Sequence, residues 1–174
     1  MIEFFIRFKL SAGVQVRQTS FFKQKDFPKE FGGELLKRRR KSRRPLSTKR
    51  PIHNVLRANL KTGSFVKYRN KINSVLKEFS QRFNVRIYKL GIARDHIHLV
   101  IKVDSRNDYS NFVRAVTGVL AKLFKFRWLF RPFTRVIEWG RDFKRVCQYV
   151  LQNDLEGLGL IPYQKRRTKK RVPT

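Results

Sequence analysis

The sequence predicts an α+β domain: a four-stranded antiparallel sheet with two helices on one face and a further helix on the other. Three observations predict it. Apolar residues recur at helical steps in three segments, and four shorter segments between them read as strands. The order is strand, helix, strand, strand, helix, strand, helix. Its first six elements are those of a split βαβ unit, the ferredoxin-like arrangement, and the seventh is a helix left over.

Each element has its own signal. Ile52 to Leu60 reads as the first strand, with Ile52, Val55, Leu56 and Leu60 set among polar residues. Phe65 to Phe83 reads as a helix, because Phe65, Tyr68, Ile72, Val75, Leu76, Phe79 and Phe83 fall three and four apart. Val85 to Ile92 and His96 to Val103 read as two strands joined by the tight turn Ala93-Arg94-Asp95. Tyr109 to Phe124 is the second helix, with Phe112, Val116, Val119, Leu120 and Leu123 on one side and Asp108 or Asn107 as its N-cap. Phe133 to Trp139 is the fourth strand, and Arg141 to Leu155 is a third helix that stops near Gly157. Tyr68, Tyr88 and Tyr109 read as packing residues. No internal repeat is present.

Charge narrows the function. Lys and Arg outnumber Asp and Glu 42 to 12 in 174 residues, a net charge of +30. A chain this basic repels itself, and nucleic acid is its natural partner. The basic residues are not confined to one amphipathic helix, which argues against a membrane surface, and no apolar run is long enough to span a bilayer. The single cysteine, Cys147, excludes a disulfide within the chain and a Cys-based zinc site. It reads as a small buried apolar group and fits a reducing cytoplasm.

The charge is concentrated at the ends. Residues 1–45 read as a basic extension, in which Met1 to Val16 forms a short strand pair or arm and Phe21, Phe22, Phe27 and Phe31 pin it to the body. Lys37, Arg38, Arg39, Arg40, Lys41, Arg43 and Arg44 form a phosphate-seeking block without an acid. Residues 161–174 form a second basic tail, with Lys165, Arg166, Arg167, Lys169, Lys170 and Arg171. The body, residues 46–160, lies between. Within it, Leu123 to Phe133 interleaves aromatic residues with Lys125, Arg127 and Arg131. That pattern suits stacking on unpaired bases with cations on the phosphates. A helix end followed by a turn with core phenylalanines would read the same way.

Two histidines mark a site. In His96-Ile97-His98-Leu99-Val100-Ile101-Lys102-Val103, strand alternation sends His96 and His98 to one face and Ile97, Leu99, Ile101 and Val103 to the other. The apolar face seats the two helices, so the histidines occupy the open face, where two converging imidazoles suit a divalent metal. Two histidines that merely solvate an exposed face would show the same spacing. The third helix carries Tyr149 and Asn153 on one stripe, flanked by Gln148 and Gln152, with Phe143, Val146, Val150 and Leu151 beside it to dock the helix. His53 in the first strand reads either as a structural histidine or as an outer donor to the same site.

Together these residues resemble a known family. His96-Ile97-His98 resembles the HUH motif, two histidines around a bulky apolar residue, and Asp95 to Val100 resembles the matching strand of single-tyrosine transposases. Tyr149-Val150-Leu151-Gln152-Asn153 resembles the catalytic helix of the REP-associated tyrosine transposases, and Arg135-Val136-Ile137 the strand before it. The resemblance covers Pro45 to Leu160. It implies a single-stranded DNA endonuclease and strand transferase in which Tyr149 forms a 5′-phosphotyrosine link. It implies that His96, His98 and Asn153 hold Mg²⁺ or Mn²⁺.

A tyrosine hydroxyl ordinarily titrates near 10, so it needs a cation or base nearby; Lys102 on the histidine face and Arg145 on the tyrosine stripe are the candidates, with Gln152 and His53 as further outer residues. The expected partner is single-stranded DNA containing a hairpin, and the expected location the nucleoid of a bacterial cytoplasm. The chain is expected to act as a monomer or a homodimer, with Tyr149 serving its own histidines or a partner's. The alternative is a non-catalytic or domesticated nucleic-acid-binding protein on the same fold. The cheapest discriminator is whether the imidazoles, the tyrosine and the asparagine converge on one cavity.

Overall fold

The computed structural model of the chain describes residues 30–36, 43–59 and 64–164. Its elements in chain order are β1 (Glu30–Phe31), a 3-10 turn (Gly33–Leu36), β2 (Ile52–Asn59), a second 3-10 turn (Phe65–Tyr68), α1 (Arg69–Arg82), β3 (Arg86–Ile92), β4 (His96–Lys102), α2 (Arg106–Phe124), β5 (Arg127–Trp128), β6 (Phe133–Val136) and α3 (Arg141–Leu158). The strands lie in the order β1-β6-β2-β4-β3, with β5 paired to β2, and every pairing is antiparallel. The four expected strands run β6-β2-β4-β3, the split βαβ order, with β1 added outside β6.

Strand alternation divides the molecule into two layers. Ile52, Leu56 and Ala58 of β2 and Ile97, Leu99 and Ile101 of β4 enter one core with Ile72, Val75, Leu76 and Phe79 of α1 and Phe112, Val116 and Leu120 of α2. Each such buried aliphatic or phenyl group contributes about 1.5–3 kcal/mol, so this face holds α1 and α2 firmly. The other face carries a smaller cluster of Val100, Ile137, Val146 and Val150, with Tyr88, Phe143, Cys147 and Tyr149 packed against it. That cluster docks α3. Cys147 is half-buried there, and burial pushes its thiol up. No helix among the described residues is long and apolar enough to cross a membrane.

Several boundaries differ from expectation. The segment expected as one helix from Phe65 begins as a 3-10 turn because the Ser64 side chain caps it early, accepting from Val66 N. α2 starts at Arg106, not after Asn107 or Asp108: Ser105 is the N-cap and accepts from Asp108 N at 3.1 Å. The last long strand ends at Val136, because the chain turns at Gly140, whose φ is +89°. α3 runs past Gly157 to Leu158 and is capped by Gly159 in the left-handed conformation. β1 and β5 were not expected as strands; two residues carry no periodic signal.

The aromatic–basic segment is a helix end and a turn whose rings are packed in the fold. Phe124 stacks on Tyr68, and Phe126 and Trp128 pack on Phe65. Lys125, Arg127 and Arg131 are exposed. Of the four pinning phenylalanines, Phe31 is buried; Met1 to Val16, Phe21, Phe22 and Phe27 lie outside the described residues. So do Lys37, Arg38, Arg39, Arg40 and Lys41 of the first basic block, the tail residues Lys165, Arg166, Arg167, Lys169, Lys170 and Arg171, and Leu60. Arg43 is exposed. Arg44 instead acts inside the fold. Its Nη1 donates to Pro132 O at 2.7 Å and to Thr134 Oγ1 at 2.8 Å, and its guanidinium lies 4.7 Å from the centre of the Phe31 ring.

Candidate active site

The face that α3 covers is built by parity. His53, Val55 and Arg57 of β2, His96 and His98 of β4, and Phe133 of β6 all point to it and line one cavity of about 440 Å³ together with Tyr149. The register sets Val55 opposite His98 and Arg57 opposite His96, so His53 is the diagonal neighbour of His98, within side-chain reach. All three histidines of the chain therefore meet. His53 Nε2 and His98 Nδ1 are 3.0 Å apart, and the rings of His96 and His98 lie 4.7 Å apart and nearly perpendicular. The Tyr149 ring stands edge-on to His98 at 5.4 Å and to His53 at 5.9 Å.

Asp95 organises His96. One carboxylate oxygen accepts from Arg57 Nε at 3.1 Å and the other lies 2.7 Å from His96 Nδ1. The hydrogen bond with His96, aided by the Arg57 guanidinium, holds the Asp95 carboxyl down to about 2. An ionised carboxylate only accepts, so His96 carries its proton on Nδ1 and would ligate through Nε2. This is the carboxylate–histidine pairing that orients metal ligands. The sequence placed Asp95 in the turn and at the start of the resembling strand, with no role of its own.

His53 is 7% exposed, and its burial, with Arg135 adding to it, pulls its imidazole down to about 4. It is neutral near pH 7, with one N–H and one lone pair. The groups facing it are His98, Tyr149, Phe133 and Arg135. An unfolded histidine titrates near 6.5, so below that pH the unfolded chain takes up the proton first. The stability held by neutral His53 is therefore complete above about pH 6.5 and lost as pH falls towards 4, on the order of 3 kcal/mol in all. The melting temperature of the metal-free protein should fall through this window, and His53→Gln should flatten the fall. Equal slopes for the two proteins would contradict it.

Two acids and two glycines fix α3 and hence Tyr149. Asp142 in the first turn of the helix pairs with Arg135 of β6 at 2.8 Å. Near the other end, Asp154 accepts from Ile92 N at 2.7 Å and pairs with Arg69 at 2.7 Å. Between them the helix lies almost on the backbone of β3. A Cβ on Gly91 would sit 2.6 Å from Val150 O, and one on Gly157 2.5 Å from Ile92 O. Gly157 is thus a contact residue, and the helix ends one residue after it, at Leu158, with Gly159 as its cap. Gly157→Ala should cost about 1–3 kcal/mol by overpacking and lower the melting temperature by several degrees. A thermal melt that matches the wild type would show that α3 can lift without penalty.

The other expected site residues are placed elsewhere. Asn153 is buried on the tyrosine stripe, but its amide nitrogen donates to Tyr149 O at 2.7 Å, and it does not line the cavity. Lys102 is on the histidine face yet pairs with Asp104 and lines a separate hollow with Arg86 and Asn84. Arg145 is exposed to solvent, and Gln152 donates to Glu156 at 2.9 Å. The cations on the cavity wall are Arg57 and Arg131. Phe130 joins Phe133 on the same wall, and the segment Gly32–Leu35 closes the cavity from the N-terminal side.

Among the described residues no group of three or more His, Cys, Asp or Glu is disposed to hold a metal. The donor set fits an ion in a narrower sense. His96 and His98 each engage a neighbour through Nδ1, so Nε2 would be the ligating nitrogen in both, and further donors would have to come from an amide, water or the phosphate itself.

A split βαβ sheet whose open face carries a histidine pair beneath a tyrosine-bearing helix is the arrangement that the family resemblance of the sequence implies. The chain belongs to the IS200-like transposase family: the model described as "Transposase IS200 like" matches residues 47–146. Among solved structures, it is similar to a REP-associated tyrosine transposase bound to a REP hairpin, with 11% identity and a TM-score of 0.55 over 68% of this chain and 74% of that one. A transposase-like protein of Deinococcus radiodurans R1 matches at 13% identity and a TM-score of 0.42, over 67% of this chain and 98% of that one. No curated protein matches the sequence.

Proposed function

We propose that this transposase cleaves and rejoins single-stranded DNA through Tyr149. The observation that carries the reading is the convergence of Tyr149, His96 and His98 on one cavity. The Tyr149 hydroxyl loses its proton to solvent as its oxygen attacks the scissile phosphorus, the bond from phosphorus to the upstream O3′ breaks, and the departing oxygen takes a proton from solvent and leaves as a 3′-OH. The product is a 5′-phosphotyrosine link, which keeps the phosphodiester energy for attack by another 3′-OH. The cationic wall of Arg57 and Arg131 holds the phosphate and offsets charge on it.

His96 and His98 would hold a divalent ion, Mg²⁺ or Mn²⁺, which when bound polarises a phosphoryl oxygen. Asn153 is the third ligand of this reading and would ligate through Oδ1, since its amide nitrogen donates to the Tyr149 carbonyl. In this reading His53 Nε2, 3.0 Å from His98 Nδ1, is the acceptor of that pair and so keeps His98 in the tautomer with a lone pair on Nε2. Because α3 lies on its own chain's sheet, we assign Tyr149 to its own chain's histidines. Hairpin-containing DNA is the substrate class to test first, since the similar REP-associated enzyme is bound to a hairpin.

The test is incubation with a labelled hairpin oligonucleotide and Mn²⁺, followed by a denaturing gel. A band of protein plus DNA is expected. Tight binding with no such band, in metal and without it, would favour the non-catalytic alternative.

A further inference from the structure

The wall formed by Gly32–Leu35 lies outside the region shared with the family, which begins at residue 47, yet it lines the same cavity as Tyr149 and the histidines. Its seat is specific. Glu30 and Phe31 pair with Arg135 and Thr134 of β6, and Gly33 N donates to Arg131 O at 2.9 Å. Gly32 has φ +93°, and a Cβ there would sit 2.0 Å from Pro132 O; only glycine fits this approach. Arg44 then clamps the same stretch through Pro132 O, Thr134 and the Phe31 ring. A segment held this closely is part of the site.

We propose that this wall is a nucleobase pocket, in which Glu34 accepts a hydrogen bond from the exocyclic amino group of the base beside the cleaved phosphate. The inference rests on the single-stranded DNA reading above. Leu35, Phe130, Phe133 and Val55 line the cavity with apolar surface suited to a flat base, while the histidines and Arg57 stand at its phosphate-binding side.

Glu34 is exposed on this wall. In a chain with 42 basic and 12 acidic residues, an acid at a DNA site repels phosphate and needs another role. Asp95, Asp142, Asp154 and Glu138 are each paired with an arginine. Nor does Glu34 complete a metal set with the histidines, since no such three-donor group exists among the described residues. What a carboxylate can accept from DNA is a base N–H. Cytosine, adenine and guanine offer amino groups, whereas the single N–H of thymine is flanked by two carbonyl oxygens that repel a carboxylate.

The experiment uses the full chain and a fluorescent hairpin oligonucleotide with single-stranded flanks, each unpaired position carrying each of the four bases in turn. Binding is read by anisotropy without metal, and adduct formation is read separately with Mn²⁺. At one position thymine should weaken wild-type binding by about tenfold relative to the best amino-bearing base. Glu34→Gln, whose amide also donates, should cut that ratio to about twofold or less with an unchanged melting temperature. Gly32→Ala should also cut the ratio, by displacing the wall, but with a lowered melting temperature. A ratio that persists in Glu34→Gln, or a wild type that nowhere disfavours thymine, overturns the pocket. Collapse of the ratio without any adduct in the wild type upholds the pocket and sinks the cleavage mechanism; adducts with a persistent ratio do the reverse.

Discussion

Tyr149→Phe is expected to remove the covalent protein–DNA band altogether, a loss of about 10⁴-fold or more, as removal of a nucleophile does in enzymes that depend on one. Binding of the uncut hairpin should stay within about twofold. The two expectations follow from the same contacts. The ring packs against the cluster that docks α3 and stands edge-on to His53 and His98, and phenylalanine preserves all of that. Only the oxygen that would attack phosphorus is lost. Denaturing gels and anisotropy on the same oligonucleotide separate the effects. An adduct that survives the substitution would move the nucleophile elsewhere, and Tyr163, exposed just beyond α3, would be the next hydroxyl to replace. A parallel loss of binding would instead mean that the substitution had disturbed the docking of α3.

Parity was legible in the sequence and distance was not. The alternation of β4 put His96 and His98 on the open face and Ile97, Leu99 and Ile101 in the core, as found. The same alternation put Lys102 on the histidine face. However, Lys102 lies four residues beyond His98, about 13 Å along a strand, and it serves another hollow. Likewise, the helical stripe of Tyr149 was legible, but spacing alone could not say that Asn153 turns back to the helix's own carbonyl or that Arg145 faces water. The roles of Asp95, Asp142 and Asp154 depend on partners 38, 7 and 85 positions away as well as on near neighbours. No local pattern encodes such pairs. Their one visible signal was rarity, since acids are scarce in this chain. The cavity wall of Gly32–Leu35 gave no signal beyond paired glycines, because a two-residue strand has no period to detect.

His96→Ala should abolish the metal-stimulated adduct and weaken Mn²⁺ binding, read by the electron paramagnetic resonance of the free ion, by at least about 100-fold. Removing one of two imidazoles leaves a single protein nitrogen, which cannot hold a first-row divalent ion against water. The outer residues provide a graded series on the same readout. Asp95→Asn removes the carboxylate that fixes the proton on His96 Nδ1, and such partners typically contribute 10–100-fold in metal affinity. His53→Ala removes the group 3.0 Å from His98 Nδ1 and should fall in the same range. His53→Gln keeps a side-chain carbonyl able to accept from that nitrogen, and it should recover much of the affinity. A purely structural His53 would give the opposite ranking: Ala and Gln would differ in melting temperature but not in Mn²⁺ affinity. Should His96→Ala bind Mn²⁺ as well as the wild type, the ion does not sit on the histidine pair. If His96→Ala fails to bind while both His53 variants bind normally, the pair holds the ion without help from β2.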